Sequence, residues 1–259
     1  MHDLFNMLWC EARKAIRSRM PLWTLLGALF IPLGVAFVFF VAKNPEISRN
    51  LGLVGAKANL LVYGKADWLF YLGFFGQIIA AGGYFLFVLI ISWTFGREFV
   101  DGTLKDMLAV PIRRSSILLA KFVVTIVWSM TMVVLMFAEY LILGALLRLP
   151  NGSFNVILQN SLPSLVCAFL TIVLVLPFAF FASIGRGYLA PIGAAIFVLM
   201  LTNLVVVVGR GDYFPWSIPA LYLQSKSPLS ATSLLIVLLT GLAGMLITGL
   251  WWTYSDQNR

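Results

Sequence analysis

Residues 116–147 read SILLAKFVVTIVWSMTMVVLMFAEYLILGALL, and Lys121 and Glu139 are the only charged side chains among them. A helix needs about 20 apolar residues to cross the hydrocarbon core of a bilayer. This stretch is long enough to cross a membrane with a tilt, or to extend past the bilayer at one end. It therefore predicts a transmembrane helix.

Five more segments of this kind occur along the chain. Together they predict an all-α membrane protein with six transmembrane helices, at residues 21–42, 68–95, 116–147, 161–184, 188–208 and 231–254. The composition agrees, because 61% of the 259 residues are hydrophobic and only 11% are charged. A soluble domain has too few interior positions to bury so much apolar surface. We expect one transmembrane domain that covers residues 1–259.

Lysine and arginine side chains orient the predicted bundle. Four of them, Arg13, Lys14, Arg17 and Arg19, precede the first span, and the positive-inside rule then places the N-terminus in the cytoplasm. With six crossings, the C-terminus and residues 97–121 are cytoplasmic as well. Basic residues in the first outer loop make this bias modest. The net charge of +8 comes from Lys and Arg at the ends of the apolar spans, where anionic lipid headgroups favour them. The basic residues form no continuous face, so the sequence does not predict nucleic-acid binding.

Residues 1–20 predict an amphipathic helix in front of the first span. The apolar face consists of Leu4, Phe5, Leu8, Trp9, Ala12, Ile16 and Met20. The opposite face consists of Asn6, Arg13, Lys14 and Arg17. This pattern is typical of a helix that lies in the membrane interface. A soluble helix that packs on a partner protein is the alternative.

Catalytic and nucleotide-binding motifs are missing from the sequence. The one histidine is His2, so no histidine-based general base or zinc site can form within the membrane. Residues 63–66 (Tyr-Gly-Lys-Ala) lack the upstream glycine and the Ser/Thr of a phosphate-binding loop. We expect no enzymatic activity, metal or cofactor in this chain. Energy for transport has to come from a partner or a gradient.

Residues 97–108 predict a short cytoplasmic helix between spans two and three. Its apolar side would carry Phe99, Val100, Leu104, Met107 and Leu108, and its charged side Glu98, Asp101, Lys105 and Asp106. Pro111 would end the helix. A rigid two-sided helix joined to two spans is suited to transmit force from a partner. A solvated, charged loop is the alternative, and the residues alone leave both open.

Residues 96–121 contain Gly96-x-Glu98, Gly102-Thr103, Leu108-Ala109 with Pro111, and Lys121 at the start of span three. These features resemble the coupling-helix signature of ABC-2 type transporter permeases, although Met107 stands where a leucine is usual. A narrower resemblance, to the bacitracin-export and lantibiotic-immunity branch, lies in GRGYLAPIG at residues 185–193 and YFPWSIPA at residues 213–220.

The resemblance implies a permease subunit that pairs with a second copy or a close homologue. It also implies two separate ABC ATPase subunits, which would hold ATP and Mg²⁺ and rock the permeases between two states. The cargo would be a peptide antibiotic or another amphiphile, and export and target protection stay open as alternatives. The residues that it places at the ATPase contact are Arg97, Glu98, Asp101, Gly102, Thr103, Lys105 and Leu108.

The resemblance also implies a transport pathway lined by spans two and five, which carry Gln77, Tyr84, Thr202 and Asn203. Ordinary hydrogen bonding between helices is the alternative role for these four side chains. Glu139 is the one ionisable residue deep within a span. A bare carboxylate in lipid is costly, so we expect Glu139 to face protein or water or to be protonated. It would contact a cationic group on cargo or lipid near the exit, or form a hydrogen bond to a neighbouring helix or to the loop after span five.

The outer loop at residues 209–230 is aromatic and rich in proline. It is too apolar for a free loop and too broken to span, which predicts short helices or a re-entrant turn in the outer interface. There it would gate the exit through Phe214, Pro215, Trp216 and Pro219, or only anchor the chain in the interface.

Two other functional classes compete with an ATP-driven exporter. A channel or gradient-driven secondary transporter would need no ATPase, but the sequence shows no pair of intramembrane charges to couple protons or sodium. The absence of catalytic motifs argues against an intramembrane enzyme.

Overall fold

The computed structural model of the protein describes residues 2–44, 67–225 and 229–254. These residues are helical almost throughout, and no strand occurs among them. Six helical segments are long and apolar enough to cross a membrane. The prediction of an all-α membrane protein with six spans is therefore confirmed.

The helices follow the predicted spans, but several of their ends are shifted. An N-terminal helix, His2–Arg17, precedes span one, and a short helix, Leu104–Ala109, separates spans two and three. Spans one to six run over Met20–Lys43, Trp68–Val100, Arg114–Leu146, Phe154–Ile184, Leu189–Val207 and Ala231–Tyr254. Span four begins earlier than predicted because the Ser153 side chain caps it, accepting a hydrogen bond from the backbone N–H of Val156.

The bundle has two ends, which we call proximal and distal. The proximal end holds the N-terminal helix, the short helix, the turn between spans four and five, and the end of span six. There Arg114 donates a hydrogen bond to the backbone oxygen of Trp252 at 2.7 Å. At the distal end, Lys43 of span one donates to the backbone oxygen of Leu147 after span three, also at 2.7 Å. The sequence predicts that the proximal end is cytoplasmic.

Spans two, three and four form the centre of the bundle. Each of them buries more than half of its apolar window inside the chain, whereas spans one, five and six bury only a third or less of theirs. The central core is largely aromatic and includes Tyr71, Phe75, Phe87 and Tyr140, all completely buried. The exposed apolar faces of the outer spans are open to lipid or to another membrane chain.

Two of the central spans are interrupted. Span two contains a π-helix, Ile79–Gly83, between its two α-helical parts. Span four breaks at Pro177, which has no N–H to continue the helical hydrogen bonding. Such interruptions often occur where a helix has a functional role.

The N-terminal helix has one buried edge and one exposed apolar edge. Met7 and Glu11, which lie outside the predicted apolar face, are buried, and Met7 packs against Ile117 of span three. Phe5 and Trp9 belong to the predicted face and are exposed, as is Ile16. Membrane contact through this exposed edge stays a prediction.

Candidate functional site

Residues 97–108 do not form the single short helix that the sequence predicts. Span two continues to Val100, so Glu98 belongs to its last turn, and the short helix begins only at Leu104. Gly102 between them has φ = 69°, in the left-handed region that glycine adopts without strain. The break separates a buried part, around Glu98, from an exposed loop.

Glu98 is buried in a cluster of four charges rather than exposed on a charged face. Lys121 Nζ of span three lies 2.8 Å from Glu98 Oε1 and 3.2 Å from Glu11 Oε2. Lys14 Nζ lies 2.7 Å from Glu11 Oε1 and 3.3 Å from Glu98 Oε1. We call these residues the four-charge cluster. It joins the N-terminal helix, span two and span three.

The four-charge cluster is held together by mutual neutralisation. Lys121 is fully buried and also donates to the backbone oxygen of Thr94 at 2.7 Å. Removing one partner of such a buried pair costs about 3–5 kcal/mol, because the other charge stays behind without compensation. Burial alone would lower the pKa of Lys14, but the carboxylates of Glu11 and Glu98 outweigh it and raise the pKa. Lys14 is therefore charged at neutral pH.

Two expectations change with the four-charge cluster. The sequence indicated no paired charges within the spans, whereas Lys121 and Glu98 pair at the proximal ends of spans two and three. Glu98 is also not an accessible docking residue, because only 3% of its surface is exposed. Its Oε2 atom has no hydrogen-bond partner in the described part of the chain. Glu98 therefore lies inside the bundle at the start of the loop and not on its surface.

The loop that follows Glu98 is exposed. Asp101, Gly102, Thr103, Lys105 and Asp106 all lie on the surface, and we call them the exposed loop. The side chain of Leu108 lies outside the described part of the structure.

Arg97 connects the exposed loop to span two and to the N-terminal helix. It pairs with Asp101 at 3.1 Å, and its guanidinium lies 5.0 Å from the centre of the Trp93 ring. It also donates to the backbone oxygen of Lys14 at 3.5 Å. An ion pair that is largely open to solvent adds little stability, so the role of Arg97 is mainly to orient the loop.

The turn between spans four and five packs against the same end of span two. A Cβ atom at Gly96 would lie 2.9 Å from the backbone oxygen of Gly187, so a larger residue would push the turn away. Burial raises the pKa of Tyr188, and the nearby Asp101 carboxylate raises it further. Gly96 therefore allows the turn to pack closely against span two, and Glu98 belongs to the four-charge cluster.

Residues 7–203 match the family described as ABC-2 family transporter protein. The match covers most of the chain, including the four-charge cluster and the exposed loop. The chain belongs to the ABC-2 transporter family. With six spans, it is a multi-pass protein of the cell membrane.

A named relative agrees with this membership. The bacitracin transport permease protein BCRB of Bacillus licheniformis is 26% identical to this ABC-2 chain over 132 residues. These residues are 51% of this chain and 64% of the relative, so the chain spans a little less than two thirds of the relative's length. The resemblance to the bacitracin-export branch is confirmed.

The four side chains predicted for a pathway differ in their surroundings in the ABC-2 chain. Tyr84 is buried and donates to the backbone oxygen of Ala195 in span five at 3.3 Å, which is ordinary bonding between helices. Thr202 is half-buried and bonds within its own helix. Gln77 and Asn203 are exposed on spans two and five. Within the described residues, no hydrogen bond joins any two of the four.

Glu139 is half-buried near the distal end of span three. Its Oε2 atom is shielded from solvent and has no hydrogen-bond partner in the described parts of the chain. The neighbouring Tyr140 turns into the core and stacks on Tyr71 of span two, with ring centres 3.9 Å apart. Neither role predicted for Glu139 is supported by a contact.

Residues 211–225, which we call the distal segment, fold as short helical pieces. These are two 3₁₀ turns, Gly211–Tyr213 and Pro215–Ser217, and a helix, Ile218–Ser225.

The distal segment packs against span four. The Trp216 indole donates to the backbone oxygen of Leu174 at 3.1 Å, and its ring centre lies 6.3 Å from that of Phe178. Pro219 is buried, whereas Phe214 and Pro215 are half-buried. Of the four predicted gate residues, Trp216 is the one whose side chain forms a hydrogen bond to span four. Insertion of the segment into a membrane stays a prediction.

Proposed function

We propose that this chain is the membrane-spanning permease subunit of an ATP-binding-cassette exporter that a separate ATPase subunit drives. The observation that carries the proposal is the position of the exposed loop above the four-charge cluster. Glu98 lies three residues before Asp101, and its carboxylate contacts Lys121 at 2.8 Å. A partner that moves the loop therefore also moves span three and the N-terminal helix.

The surroundings of the exposed loop suit a protein partner. A cavity of about 540 Å³ lies between the loop and the N-terminal helix, and its apolar wall includes Met7, Met107 and Ile117. Asp106 also lines the cavity, and its sequence neighbour Lys105 is an exposed positive charge. An apolar pocket with a polar rim is the usual anatomy of a protein interface. ATP and Mg²⁺ would bind to the partner, since this sequence has no phosphate-binding loop.

A second copy of the chain would complete the transport pathway. Gln77 and Asn203 are exposed on spans two and five, in surfaces that are otherwise apolar. Polar side chains within a membrane rarely face lipid and usually face another helix or a water-filled cavity. A homodimer or a pair of close homologues would cover both residues. The pathway would then run between the two copies.

The cargo class follows from the relative, whose name assigns it to bacitracin transport. We propose an amphiphilic compound or peptide antibiotic, moved out of the cell or out of the membrane to give resistance. The distal segment would gate the exit, because Trp216 attaches it to span four within the bundle. Membrane lipid would surround the exposed apolar faces of spans one, five and six.

Copurification tests the proposal. The chain would be co-expressed with candidate ABC ATPase subunits from the same genome and purified in detergent. We expect a complex with the wild type, a weaker complex when Lys105→Glu and Asp106→Lys exchange the loop charges, and no change for Asp212→Lys, an exposed control at the distal end. Equal binding by the loop variant, or ATP hydrolysis by the chain alone, would contradict the proposal.

A further inference from the structure

The buried residues of span six form one stripe along its length. They are Val237, Gly241, Gly244, Thr248 and Trp252. Residues three or four positions apart share one face of a helix, so these five lie in a single line. Most of the remaining residues of span six are exposed. The stripe is therefore the part of span six that connects it to the bundle.

At the proximal end, the stripe ends on Trp252, which is fully buried. Its indole nitrogen donates to Ser183 Oγ of span four at 2.9 Å. Its ring meets Phe99 of span two edge-on, with centres 6.1 Å apart, and its backbone oxygen accepts a hydrogen bond from Arg114 of span three. One residue thus contacts three spans directly beside the exposed loop.

In the middle, the stripe lies against the break in span four. A Cβ atom at Gly241 would come within 2.5 Å of Val173, and one at Gly244 within 2.5 Å of Pro177. The two helices approach this closely only because both positions are glycine. Span six therefore follows any movement of span four at Pro177.

At the distal end, the stripe reaches the distal segment. Val237 is fully buried in one apolar cluster with Ile218 of the distal segment and Leu174 of span four. Trp216 donates to the backbone oxygen of the same Leu174. Val237 and Trp252 are fifteen residues apart, or about 22 Å along the helix at ~1.5 Å per residue. Span six thus connects the proximal end of the bundle to the distal segment.

From these contacts we infer that span six transmits motion between the exposed loop and the distal segment, and that Trp252 is the positioning residue that holds it at the loop. The inference rests on the proposed function in one respect, since it takes the exposed loop as the place where the ATPase acts. The stripe and its contacts do not depend on that role. The substitutions below therefore test the inference without an ATPase.

The experiment uses the full chain in lipid nanodiscs with a thiol reporter in the distal segment. Ser217 is fully buried, so Ser217→Cys reacts with a thiol reagent only when the segment opens. Cys10→Ser removes the exposed native cysteine, and the buried Cys167 stays as an internal control for general loosening. Mass spectrometry measures both labelling rates in the same sample.

Two substitutions form a matched pair. Trp252→Phe removes the N–H that bonds to Ser183, while the ring can still contact Phe99. Trp251→Phe removes an indole N–H that has no partner among the described residues, one position earlier on the same helix. Ser183→Ala removes the other end of the Trp252 bond. It gives a second, milder variant if Trp252→Phe folds poorly.

We expect Trp252→Phe to raise the labelling rate of Ser217→Cys by about 2- to 10-fold, the value of one neutral hydrogen bond. Ser183→Ala should have the same effect, the two changes should not add, and Trp251→Phe should have none. Unchanged labelling with Trp252→Phe, or an equal rise at Cys167, would overturn the inference. If labelling responds but no ATPase binds the loop, the proposed function fails and the inference stands. If an ATPase binds the loop but the labelling does not respond, the inference fails and the proposed function stands.

Discussion

The proximal and distal ends of spans two and three are joined by opposite kinds of chemistry. At the proximal end, Lys121 lies between the carboxylates of Glu98 and Glu11 in a buried ionic contact. At the distal end, Tyr71 and Tyr140 stack with their rings 10° from parallel. Each of these tyrosines donates to the backbone oxygen of the other, at 3.1 and 2.7 Å.

The two junctions should respond differently when a residue in them is moved or replaced. A buried ionic contact fixes one geometry, because moving any member leaves a charge without its partner. A neutral junction of rings and backbone oxygens loses only one hydrogen bond at a time, and the rings keep packing. The ionic junction lies under the exposed loop, where a partner would apply force. The neutral junction lies in the core at the distal end, where both rings are completely buried.

The largest expected effect concerns the side of the membrane that each end faces. In a background without Cys10 and Cys167, Lys105→Cys marks the proximal end and Asn151→Cys the distal end. Both positions are exposed. A membrane-impermeant thiol reagent added outside intact cells should label Asn151→Cys and leave Lys105→Cys unlabelled until the cells are opened. Labelling of both positions from outside would contradict the predicted topology.

Next in size is the loss of the central cation at the proximal end. Lys121→Met keeps the length of the side chain and leaves two carboxylates buried beside each other. We expect a loss of about 3–5 kcal/mol in the free energy of unfolding, measured by denaturant titration in mixed micelles. Lys105→Met, on the exposed loop, is the control. If both substitutions have the same small effect, the four-charge cluster does not hold the proximal end together.

The matching change at the distal end should have a smaller effect. Tyr140→Phe removes the hydroxyl that donates to the Tyr71 backbone oxygen at 2.7 Å but keeps the stacked ring. We expect a loss of about 1 kcal/mol in the same titration. Tyr213→Phe, at an exposed tyrosine, should have no measurable effect. A loss as large as that of Lys121→Met would remove the distinction between the two ends.

The smallest expected effect is the contribution of Lys14, which is the most exposed member of the four-charge cluster. The pKa of Lys14 is raised above its ordinary value of 10.5, because Glu11 and Glu98 outweigh the effect of burial. The stabilisation is therefore fully present below pH 10.5 and is lost as the pH rises through the higher pKa of the folded state. Lys14→Met should lower the melting temperature slightly at pH 8, and the difference should shrink above pH 10.5. A difference that grows with pH would contradict this sign.

The sequence predicts the spans well because their signal is local. A long apolar run such as residues 116–147 can be recognised as a span from its own residues, without knowledge of the rest of the chain. The shifted start of span four at Phe154 depends on a cap at Ser153, which is a weaker signal than hydropathy. Six spans were therefore predictable, and their ends less so.

The site was harder to predict because its contacts join distant parts of the chain. Glu98 was expected on an exposed face. It is buried instead, because it pairs with Lys121 in the next span and with Lys14 of the N-terminal helix. Glu11 was not singled out at all, although a carboxylate on an amphipathic helix near a lysine at the start of a span is a usable signal. Trp252 lies within the predicted sixth span, residues 231–254, but nothing in the sequence marks it as a contact between spans. Its contacts with Ser183 and Phe99 could not be deduced from sequence spacing.

If the exposed loop passes motion from an ATPase to the spans, a change in the loop should alter the amount of cargo moved per ATP hydrolysed. The chain and its co-expressed ATPase would be reconstituted in proteoliposomes with bacitracin as the probe. Gly102→Pro distorts the loop, because proline cannot adopt φ = 69°, and a Cβ atom at this position would meet nothing within 4 Å. Asn151→Pro, with φ = 61° in an exposed distal loop, is the matched control. We expect Gly102→Pro to keep ATP hydrolysis but to lower the bacitracin moved per ATP several-fold, whereas Asn151→Pro should keep the wild-type ratio. A wild-type ratio for Gly102→Pro would contradict this role of the loop.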